Sequence, residues 1–220
     1  MKIGILGGTF NPIHFGHLRA AEEVREMFAL DKVLFIPSGR PPFRKPLLAD
    51  AGHRYKMTRL AIKGDPVLDI SHIEIKAGGT SYSVDTLERL SSRYGNAKLF
   101  FIIGIDVFLD LAKWKQPDRL MELASLVIIA RPGYCFTDLS GSPYFTTAHK
   151  KLLKRFAEGA GRRSSLTLTT GRKIFLCKIT ALGISASGIR SRVKAGKNIK
   201  YLLPDSVESY IISHKLYKKK

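Results

Sequence analysis

The sequence predicts an α/β fold in which helices cover both faces of a doubly wound parallel sheet. Short apolar runs alternate with helical patterns along most of the chain, and these runs are apolar at nearly every position rather than at alternate ones. Strands that are apolar on both sides are typical of parallel sheets buried between two helical layers. Ligands of such sheets bind beyond the carboxyl ends of the strands, so the segments that follow strands are the places to search.

The predicted elements follow one another in a regular order. Apolar runs predict strands over residues 2–6, 32–36, 67–71, 97–103 and 125–130, and periodicity predicts helices over 16–28, 51–64, 82–94 and 106–123, the last broken at Pro117. A proline-rich loop covers 37–49, an irregular stretch covers 131–150, and a basic helix over 147–158 precedes short strands over 165–169 and 173–177. We expect a single domain over 1–220, with a Rossmann-like core over 1–180 and a helical extension over 181–220.

The composition is that of a globular chain with a basic C-terminal third. Of 220 residues, 45% are hydrophobic and 25% charged; no apolar run is long enough to span a membrane, and no signal-peptide pattern is present. Cys135 and Cys177 lack metal-binding or redox spacing, so we expect free thiols in a reducing cytoplasm. Within the net charge of +19, residues 1–149 carry 19 basic and 15 acidic side chains, and residues 150–220 carry 18 and 3. Charge alone leaves nucleic acid, a polyphosphate substrate and a solvated basic surface open.

The most informative segment joins the first predicted strand to the first predicted helix. It reads GGTFNPIHFGH over residues 7–17, and the helix carries an apolar stripe on the face of His17. The Gly7-Gly8 pair allows the backbone to approach a ligand closely, and the unpaired amides of a helix N-terminus attract anions. His14 and His17 therefore lie where a phosphate would be received. A metal site is the alternative, but the His-x-x-His spacing lacks the further ligands that zinc requires.

A second candidate phosphate site follows the two short strands. Residues 184–193 read ISASGIRSRV, with Ser187 as the predicted N-cap and Arg190 and Arg192 in the first turn. Positive charges there oppose the helix dipole, a placement that is understandable if an anion binds as well. An ordinary capped helix with solvent-facing arginines is the alternative. Together, the two segments could hold opposite ends of a triphosphate.

These segments resemble the signatures of a known family. Residues 7–17 resemble the GGTFDPIHxGH signature of nicotinate-nucleotide adenylyltransferases, in the HxGH nucleotidyltransferase superfamily, and residues 184–190 are similar to their ISSTxIR signature. Further similar blocks are the loop from Pro37 to Pro42, Thr80–Leu87, Gly104–Asp106 with Trp114, Ala130–Gly133, and Tyr201 through Ile211. The blocks cover nearly the whole chain in the family's order, which argues against chance agreement.

The resemblance implies transfer of AMP from ATP to nicotinic acid mononucleotide, giving nicotinic acid adenine dinucleotide and pyrophosphate in NAD biosynthesis. The catalytic residues that it implies are His17, His14 and Arg190. The implied ATP site consists of Gly7, Gly8, Thr9, Phe10, His14, His17, Gly104, Asp106, Ser185, Ser187 and Arg190. The implied mononucleotide site consists of Lys45, Thr80, Tyr82, Thr86, Trp114 and Arg131.

Two of these residues have alternative roles. Trp114, the sole tryptophan, is expected to stack on the pyridine ring, since aromatic stacking tolerates varied geometry; a packing or surface role is the alternative. Asp106 is expected to accept hydrogen bonds from ribose hydroxyls, and it could also cap the helix that follows.

The expected ligands are small molecules. We expect ATP and nicotinic acid mononucleotide as substrates, without nucleic acid or membrane, in a cytoplasmic enzyme; a homo-oligomer is compatible with the sequence. Mg²⁺ is expected to arrive with ATP because it prefers phosphate oxygens and water to an all-protein cage. No tightly bound, protein-ligated metal is expected.

The sequence departs from the family signatures at three places. Asn11 stands where the family usually has Asp, Ala186 and Ser187 stand in place of Ser and Thr, and Phe43-Arg44-Lys45 replaces a His-Lys pair. Asn at the first place retains hydrogen bonding but loses a charge. These departures concern how substrate is held rather than the class of reaction.

Other readings of the histidine motif remain. A cytidylyltransferase or pantetheine-phosphate adenylyltransferase would keep motif and fold but change the substrate. A class I aminoacyl-tRNA synthetase fragment also has a His-x-Gly-His signature, although this chain leaves no room for an anticodon-binding domain and its second motif is based on arginine. A nucleic-acid binding module would be favoured by the basic C-terminal region alone, with salt-dependent binding.

Overall fold

The computed structural model describes residues 1–42 and 47–218. In these ranges seven strands form one sheet: β1 (Lys2–Gly8), β2 (Lys32–Pro37), β3 (Leu68–Ile70), β4 (Lys98–Gly104), β5 (Ser125–Ile129), β6 (Arg163–Thr167) and β7 (Lys173–Cys177). Their order in space is β3-β2-β1-β4-β5-β7-β6. The pairings are parallel except that of β6 with β7, which is antiparallel.

Helices connect the strands and form the C-terminal extension. They are α1 (Phe15–Phe28), α2 (Ala51–Ala61), α3 (Ile73–Ala77), α4 (Ser83–Tyr94), α5 (Ile105–Leu109), α6 (Pro117–Leu123), α7 (Thr147–Glu158), α8 (Ala186–Lys194) and α9 (Asp205–Ser213), with 3₁₀ turns at Leu111–Lys113 and Phe136–Gly141. No helix in the described part of the chain is both long and apolar enough to cross a bilayer.

Alternate residues of the central strands enter two separate apolar cores, one on each face of the sheet. Phe101 and Ile103 of β4 belong to the core that α4, α5, α6 and α7 cover. Phe100 and Ile102 of the same strand belong to the core under α1, α2, α8 and α9. Because a strand directs successive side chains to opposite faces, both sets are buried only when helices cover both sides. The predicted doubly wound α/β class is confirmed.

The order of the strands reverses between β1 and β4. From β1 the chain moves outward to β2 and β3, and it then returns to place β4 on the other side of β1. The connections that leave the carboxyl ends of these two neighbouring strands run in opposite directions, which opens a crevice between them. Gly8 ends β1 and Gly104 ends β4, so both predicted glycine turns border this crevice.

The predicted helix over 106–123 is wrong in its middle. α5 ends at Leu109, and α6 begins only at Pro117, which is its N1 residue. Gln116 has a φ of 48°, in the left-handed region, and a residue before a proline is disfavoured in the right-handed helical region, so no continuous helix runs through position 116. Pro117 therefore begins a helix instead of interrupting one, as the missing N–H of a proline allows at N1.

Smaller differences concern short elements. The structure has β3 over Leu68–Ile70 and β6 over Arg163–Thr167, where the sequence predicts strands over 67–71 and 165–169. α3 was not predicted at all, because a five-residue helix without buried residues has no readable apolar period. These differences do not alter the order of the sheet.

One buried carboxylate ties α1 to the segment that leads into the C-terminal extension. Glu23 is 1% exposed and accepts hydrogen bonds from Arg19 at 2.6 Å, from the backbone N–H of Thr180 at 3.1 Å, and from Arg162. Burial opposes ionisation of this carboxyl group, but the hydrogen bonds from Thr180 and Arg19 outweigh it and lower the pKa of Glu23. Its charged form therefore stabilises the fold.

Replacing Glu23 with Gln should lower the free energy of unfolding by about 1–3 kcal/mol, because a charge-assisted acceptor of three donors becomes a neutral one. The decrease in the free energy of unfolding should reach its full size above about pH 5 and become smaller at lower pH. A carboxyl group whose pKa is lowered in the folded state contributes stability that disappears as it is protonated. Urea unfolding across pH measures it. Glu26→Gln, at an exposed position of the same helix, is the matched control and should change stability by less than about 0.5 kcal/mol. Equal losses in the two variants would contradict this role of Glu23.

Candidate active site

The segment between β1 and α1 brings the two predicted histidines into contact. His14 is the N-cap residue of α1, and its backbone N–H donates to Nδ1 of His17 at 3.3 Å. The two ring centroids lie 3.8 Å apart. Gly7 and Gly8 precede them at the end of β1, and a Cβ on Gly8 would lie only 3.1 Å from the Phe10 ring. The tight turn therefore needs glycine here for its own packing.

Phe10 supports His17 from behind. Its ring is 2% exposed and meets the edge of the His17 ring with centroids 5.1 Å apart. Its φ of 45° lies in the left-handed region, which costs a non-glycine residue about 1–2 kcal/mol. Packing against Phe35, with centroids 5.7 Å apart, offsets that cost. The predicted ATP residue Phe10 thus has its side chain in the core rather than in the crevice.

Both imidazoles are held in the neutral form. Burial, and after it the positive charge of Arg131, lowers the pKa of His14 to about 4. Burial, followed by His14 and Arg131, also holds the pKa of His17 well below its usual value. Nδ1 of His14 is buried, with no hydrogen-bond partner among the described residues. A bound anion would reverse this electrostatic balance and favour protonation.

The turn after β4 supplies a carboxylate with one free oxygen. Gly104 is the N-cap residue of α5, so the alternative prediction that Asp106 caps this helix is wrong. Oδ2 of Asp106 lies 3.3 Å from Nε of Arg131, which follows β5. Oδ1 is buried and has no partner within residues 1–42 and 47–218. A Cβ at position 104 would overlap Oδ1, so a glycine is required beside this acceptor.

The second predicted phosphate segment has a different cap from the one expected. Oγ of Ser185 accepts the Gly188 N–H at 3.1 Å, which makes Ser185 the N-cap residue of α8. The prediction of Ser187 as the cap is wrong; Ser187 lies inside the first turn, with its hydroxyl 3.3 Å from that of Ser185. Arg190 therefore lies beyond the first turn, where it is not opposed by the positive end of the helix dipole as strongly as predicted.

The two predicted phosphate segments meet in space. Nη1 of Arg190 donates to the backbone oxygen of Asn11 at 2.8 Å, three residues before His14. Arg192, in contrast, donates to the backbone oxygen of Asn198 at 2.7 Å, in the loop after α8. One of the two arginines thus joins the histidine segment, and the other stabilises its own helix end.

The hydrogen bonds of Asn11 explain why an amide stands at this position, where the family signature has Asp. Nδ2 of Asn11 donates to the Leu47 carbonyl at 3.0 Å, while its Oδ1 accepts from the Ala49 N–H at 3.1 Å and from the Tyr217 hydroxyl at 2.8 Å. An ionised Asp could accept the last two bonds but could not donate to Leu47. The amide thus joins the first loop, the end of the proline-rich loop and the C-terminal extension.

Three predicted mononucleotide residues share a second hollow beyond β3. Thr80, Tyr82 and Thr86 line a cavity of about 140 Å³. The Thr86 hydroxyl is not free within it, because it donates to Glu74 at 2.7 Å. Burial raises the pKa of Glu74 against the opposing effect of this hydrogen bond and those of Ser81 and Gly39.

Trp114, another predicted mononucleotide residue, lies apart from this hollow. Trp114 is half-buried beside Phe101, with ring centroids 6.5 Å apart, and does not line the hollow. The next residue, Lys115, lies over the Tyr82 ring with Nζ 5.1 Å from its centroid, so Trp114 is one residue away from that wall. The predicted Lys45 lies outside the described residues.

Sequence reasoning missed a buried arginine that joins the loops of the site. Arg54 of α2 is 1% exposed, and it donates to the carbonyls of Thr9 at 2.9 Å, Gly39 at 3.0 Å and Ala49 at 2.9 Å. Burial lowers the pKa of its guanidinium. The available signal was its spacing of three residues from the buried Met57, which places it on the inner face of the helix.

The fold and its phosphate segments define a class of protein, the nucleotidyltransferases, and residues 5–192 match the family model described as cytidylyltransferase-like. A relative from Geotalea uraniireducens, named "Probable nicotinate-nucleotide adenylyltransferase", is 41% identical over 99% of this chain and 98% of its own. A relative of the same name from Dictyoglomus turgidum is 42% identical over 99% and 96%. The chain belongs to the nicotinate-nucleotide adenylyltransferase family, as the sequence predicts.

Solved structures confirm the fold. The Plasmodium falciparum nicotinic acid mononucleotide adenylyltransferase complexed with NaAD matches with a TM-score of 0.71 at 18% identity, covering 98% of this chain and 97% of that one. The same protein complexed with APC matches with a TM-score of 0.67 over 98% and 96%.

The His14 imidazole should stay neutral far below the usual histidine range. Its Cε1–H resonance should keep its neutral position down to about pH 5 and move with a midpoint near pH 4. Because the unfolded chain binds this proton near pH 6.5, the stability from neutral His14 is present above about pH 6.5 and lost as pH falls toward 4. His14→Asn, which keeps a good N-cap, assigns the resonance. A midpoint near 6.5 would contradict the burial argument.

Proposed function

We propose that this chain transfers AMP from ATP to nicotinic acid mononucleotide, releasing nicotinic acid adenine dinucleotide and pyrophosphate. The contact between Arg190 and the Asn11 backbone carries the proposal, because it joins two phosphate segments that are far apart in sequence. They meet beside the strand reversal of β1 and β4, where doubly wound sheets bind nucleotides. Membership in the adenylyltransferase family supports the same reaction.

The proposed chemistry depends on position and charge rather than on a protein base. The phosphate of the mononucleotide is already an anionic nucleophile, so catalysis needs in-line placement and neutralisation of charge on the α-phosphate and the leaving pyrophosphate. His17 would donate to the α-phosphate, with His14 beside the phosphate chain. Arg190 and Ser187 would hold the β- and γ-phosphates, with Ser185 fixing the helix end. Desolvated donors act strongly because little water screens them.

The adenosine half would lie across the ends of β1 and β4. The unpartnered Oδ1 of Asp106 fits a ribose hydroxyl donor, since a buried acceptor without a partner is costly. Gly7, Gly8 and Gly104 carry no side chain that would obstruct a ligand along this edge of the sheet. The Thr9 carbonyl accepts a hydrogen bond from Arg54. Mg²⁺ would enter as part of the ATP substrate, because no cluster of three metal-binding side chains occurs among the described residues and Mg²⁺ prefers phosphate oxygens.

The mononucleotide half would lie toward β3. Thr80, Tyr82 and Thr86 already share a hollow there, and Trp114 would stack on the pyridine ring from the neighbouring wall. Arg131 lies close enough to both histidines to affect their pKa values, which favours a role beside phosphate. Lys45, in the proline-rich loop, would add a further cation.

The substrate should be identified by a panel of reactions. With magnesium-ATP, pyrophosphate release should be fastest with nicotinic acid mononucleotide and much slower with pantetheine phosphate; CTP should not replace ATP. Fluorescence of Trp114, the sole tryptophan, should change on addition of the mononucleotide alone, because stacking alters the environment of the indole. Pyrophosphate release that depends on pantetheine phosphate and ignores pyridine mononucleotides would refute the proposed substrate.

His17→Ala should lower kcat by about 10²–10³-fold while ATP still binds, because removal of one donor to a developing charge costs that much. His214→Ala, which removes an exposed imidazole from α9's C-terminal end, is the control and should retain normal turnover. Steady-state pyrophosphate release and ATP titration measure the two effects. Near-normal kcat in His17→Ala would rule out the assignment.

A further inference from the structure

Two oppositely charged side chains, those of Arg54 and Glu74, act on the start of the proline-rich loop at Gly39. On one side, Nη2 of Arg54 donates to the Gly39 carbonyl at 3.0 Å. On the other side, the Gly39 N–H donates to Oγ of Ser81 at 3.0 Å and also acts on the carboxylate of Glu74. The Arg54 guanidinium thus holds the carbonyl of Gly39, while the Ser81 hydroxyl accepts the Gly39 N–H, which also opposes the rise that burial causes in the pKa of the nearby Glu74 carboxyl.

The packing at Gly39 leaves no room for a side chain. A Cβ there would overlap the backbone oxygen of Glu74 and lie 3.2 Å from Cα of Ile75. The loop after β2 therefore lies directly on α3, backbone against backbone. Only a glycine permits this approach, and it places the Gly39 N–H within reach of both acceptors.

The charge of Glu74 complements that of Arg54. No carboxylate hydrogen-bonds to the buried guanidinium of Arg54 within the described residues, and Glu74 is one of the groups whose charge favours its protonated form. Reciprocally, Arg54 favours the ionised form of Glu74. Arg54 donates to the Gly39 carbonyl, and the backbone of Gly39 packs against that of Glu74, so both residues contact the loop at the same point.

Glu74 also reaches the other side of the candidate mononucleotide hollow. It accepts the Thr86 hydroxyl at 2.7 Å and lines the cavity together with Thr80 and Tyr82. The Ser81 hydroxyl, which accepts from Gly39 and from the Arg40 N–H at 3.1 Å, belongs to the same wall. One carboxylate therefore connects the proline-rich loop, the loop before α4 and the first turn of α4.

We propose that Glu74 is a positioning residue for the mononucleotide substrate, holding the loop at Gly39 and the wall at Thr86 at the spacing that this substrate requires. The proposal rests on the proposed function. Its contacts involve the β2 and β3 side of the crevice, whereas among the described residues no hydrogen bond or ion pair joins Glu74 to the segments of His14 and Arg190. Loss of its charge should therefore affect the mononucleotide and leave ATP binding unchanged.

The test compares Glu74→Gln with Glu88→Gln by steady-state kinetics in both substrates. Glu88 is exposed on α4 and pairs with Arg119, so its variant loses the same charge without touching the hollow. Glu74→Gln should raise the KM for the mononucleotide about tenfold, as expected when a charge-assisted hydrogen bond becomes neutral, with the KM for ATP within about twofold. A lower kcat in Glu74→Gln, with the KM values for both substrates unchanged, would overturn the proposal. A purely structural role lowers only the fraction of active enzyme.

A second variant and a second readout keep the outcome decisive. Ser81→Ala removes the hydroxyl that bridges Gly39 and Arg40 and that also hydrogen-bonds to Glu74, but it keeps the carboxylate itself. It should raise the same KM in the same direction even if Glu74→Gln folds poorly. Hydrogen exchange at the Gly39 amide should become faster in Glu74→Gln and stay unchanged in Glu88→Gln. If the wild-type protein does not use the mononucleotide, the proposed function fails. Hydrogen exchange then tests separately whether Glu74 holds the loop. Unchanged protection of the Gly39 amide in Glu74→Gln would refute that role.

Discussion

The geometry of the site depends on one buried guanidinium. Arg54 reaches from α2 into the carboxyl edge of the sheet and donates to the carbonyls of Thr9, in the loop after β1, and of Gly39 and Ala49, near the two ends of the proline-rich loop. Each of these carbonyls would otherwise be a buried acceptor without its bond, at about 1–3 kcal/mol each. A permanently charged, planar fork with five donors is suited to this task, and lysine could not replace it.

The carboxyl edge of the sheet has two chemically different regions, one near β1 and β4 and one near β2 and β3. Near β1 and β4, two neutral imidazoles lie in contact, and a buried carboxylate oxygen of Asp106 has no hydrogen-bond partner in the described part of the chain. Near β2 and β3, hydrogen bonds through Gly39, Ser81 and Thr86 determine the width of a small hollow. Arg54 is shared by both regions, because it donates to the Thr9 carbonyl on one side and to the Gly39 carbonyl on the other.

The features that could be predicted from the sequence are those determined by residues close together in the chain. The apolar runs of β1 and β4, the glycines that end them and the histidines before α1 are all readable, because periodicity and turn chemistry act over a few residues. Ser185 could not be chosen over Ser187 as the cap, since both are good cap residues and only the bond to Gly188 distinguishes them. The polar contacts of Asn11 with Tyr217, 206 residues away, carry no periodic signal, and a single sequence does not encode which distant partners meet.

The bond between Asn11 and Tyr217 has a consequence for how the enzyme is made. Asn11 of the histidine loop is synthesised 206 residues before Tyr217, whose hydroxyl completes the support of this loop. Sheet pairing of β1 with β2 can begin early, whereas α9 can dock against α2 only after it has emerged. The hydrogen bond from Tyr217 can therefore form only after translation has passed residue 217.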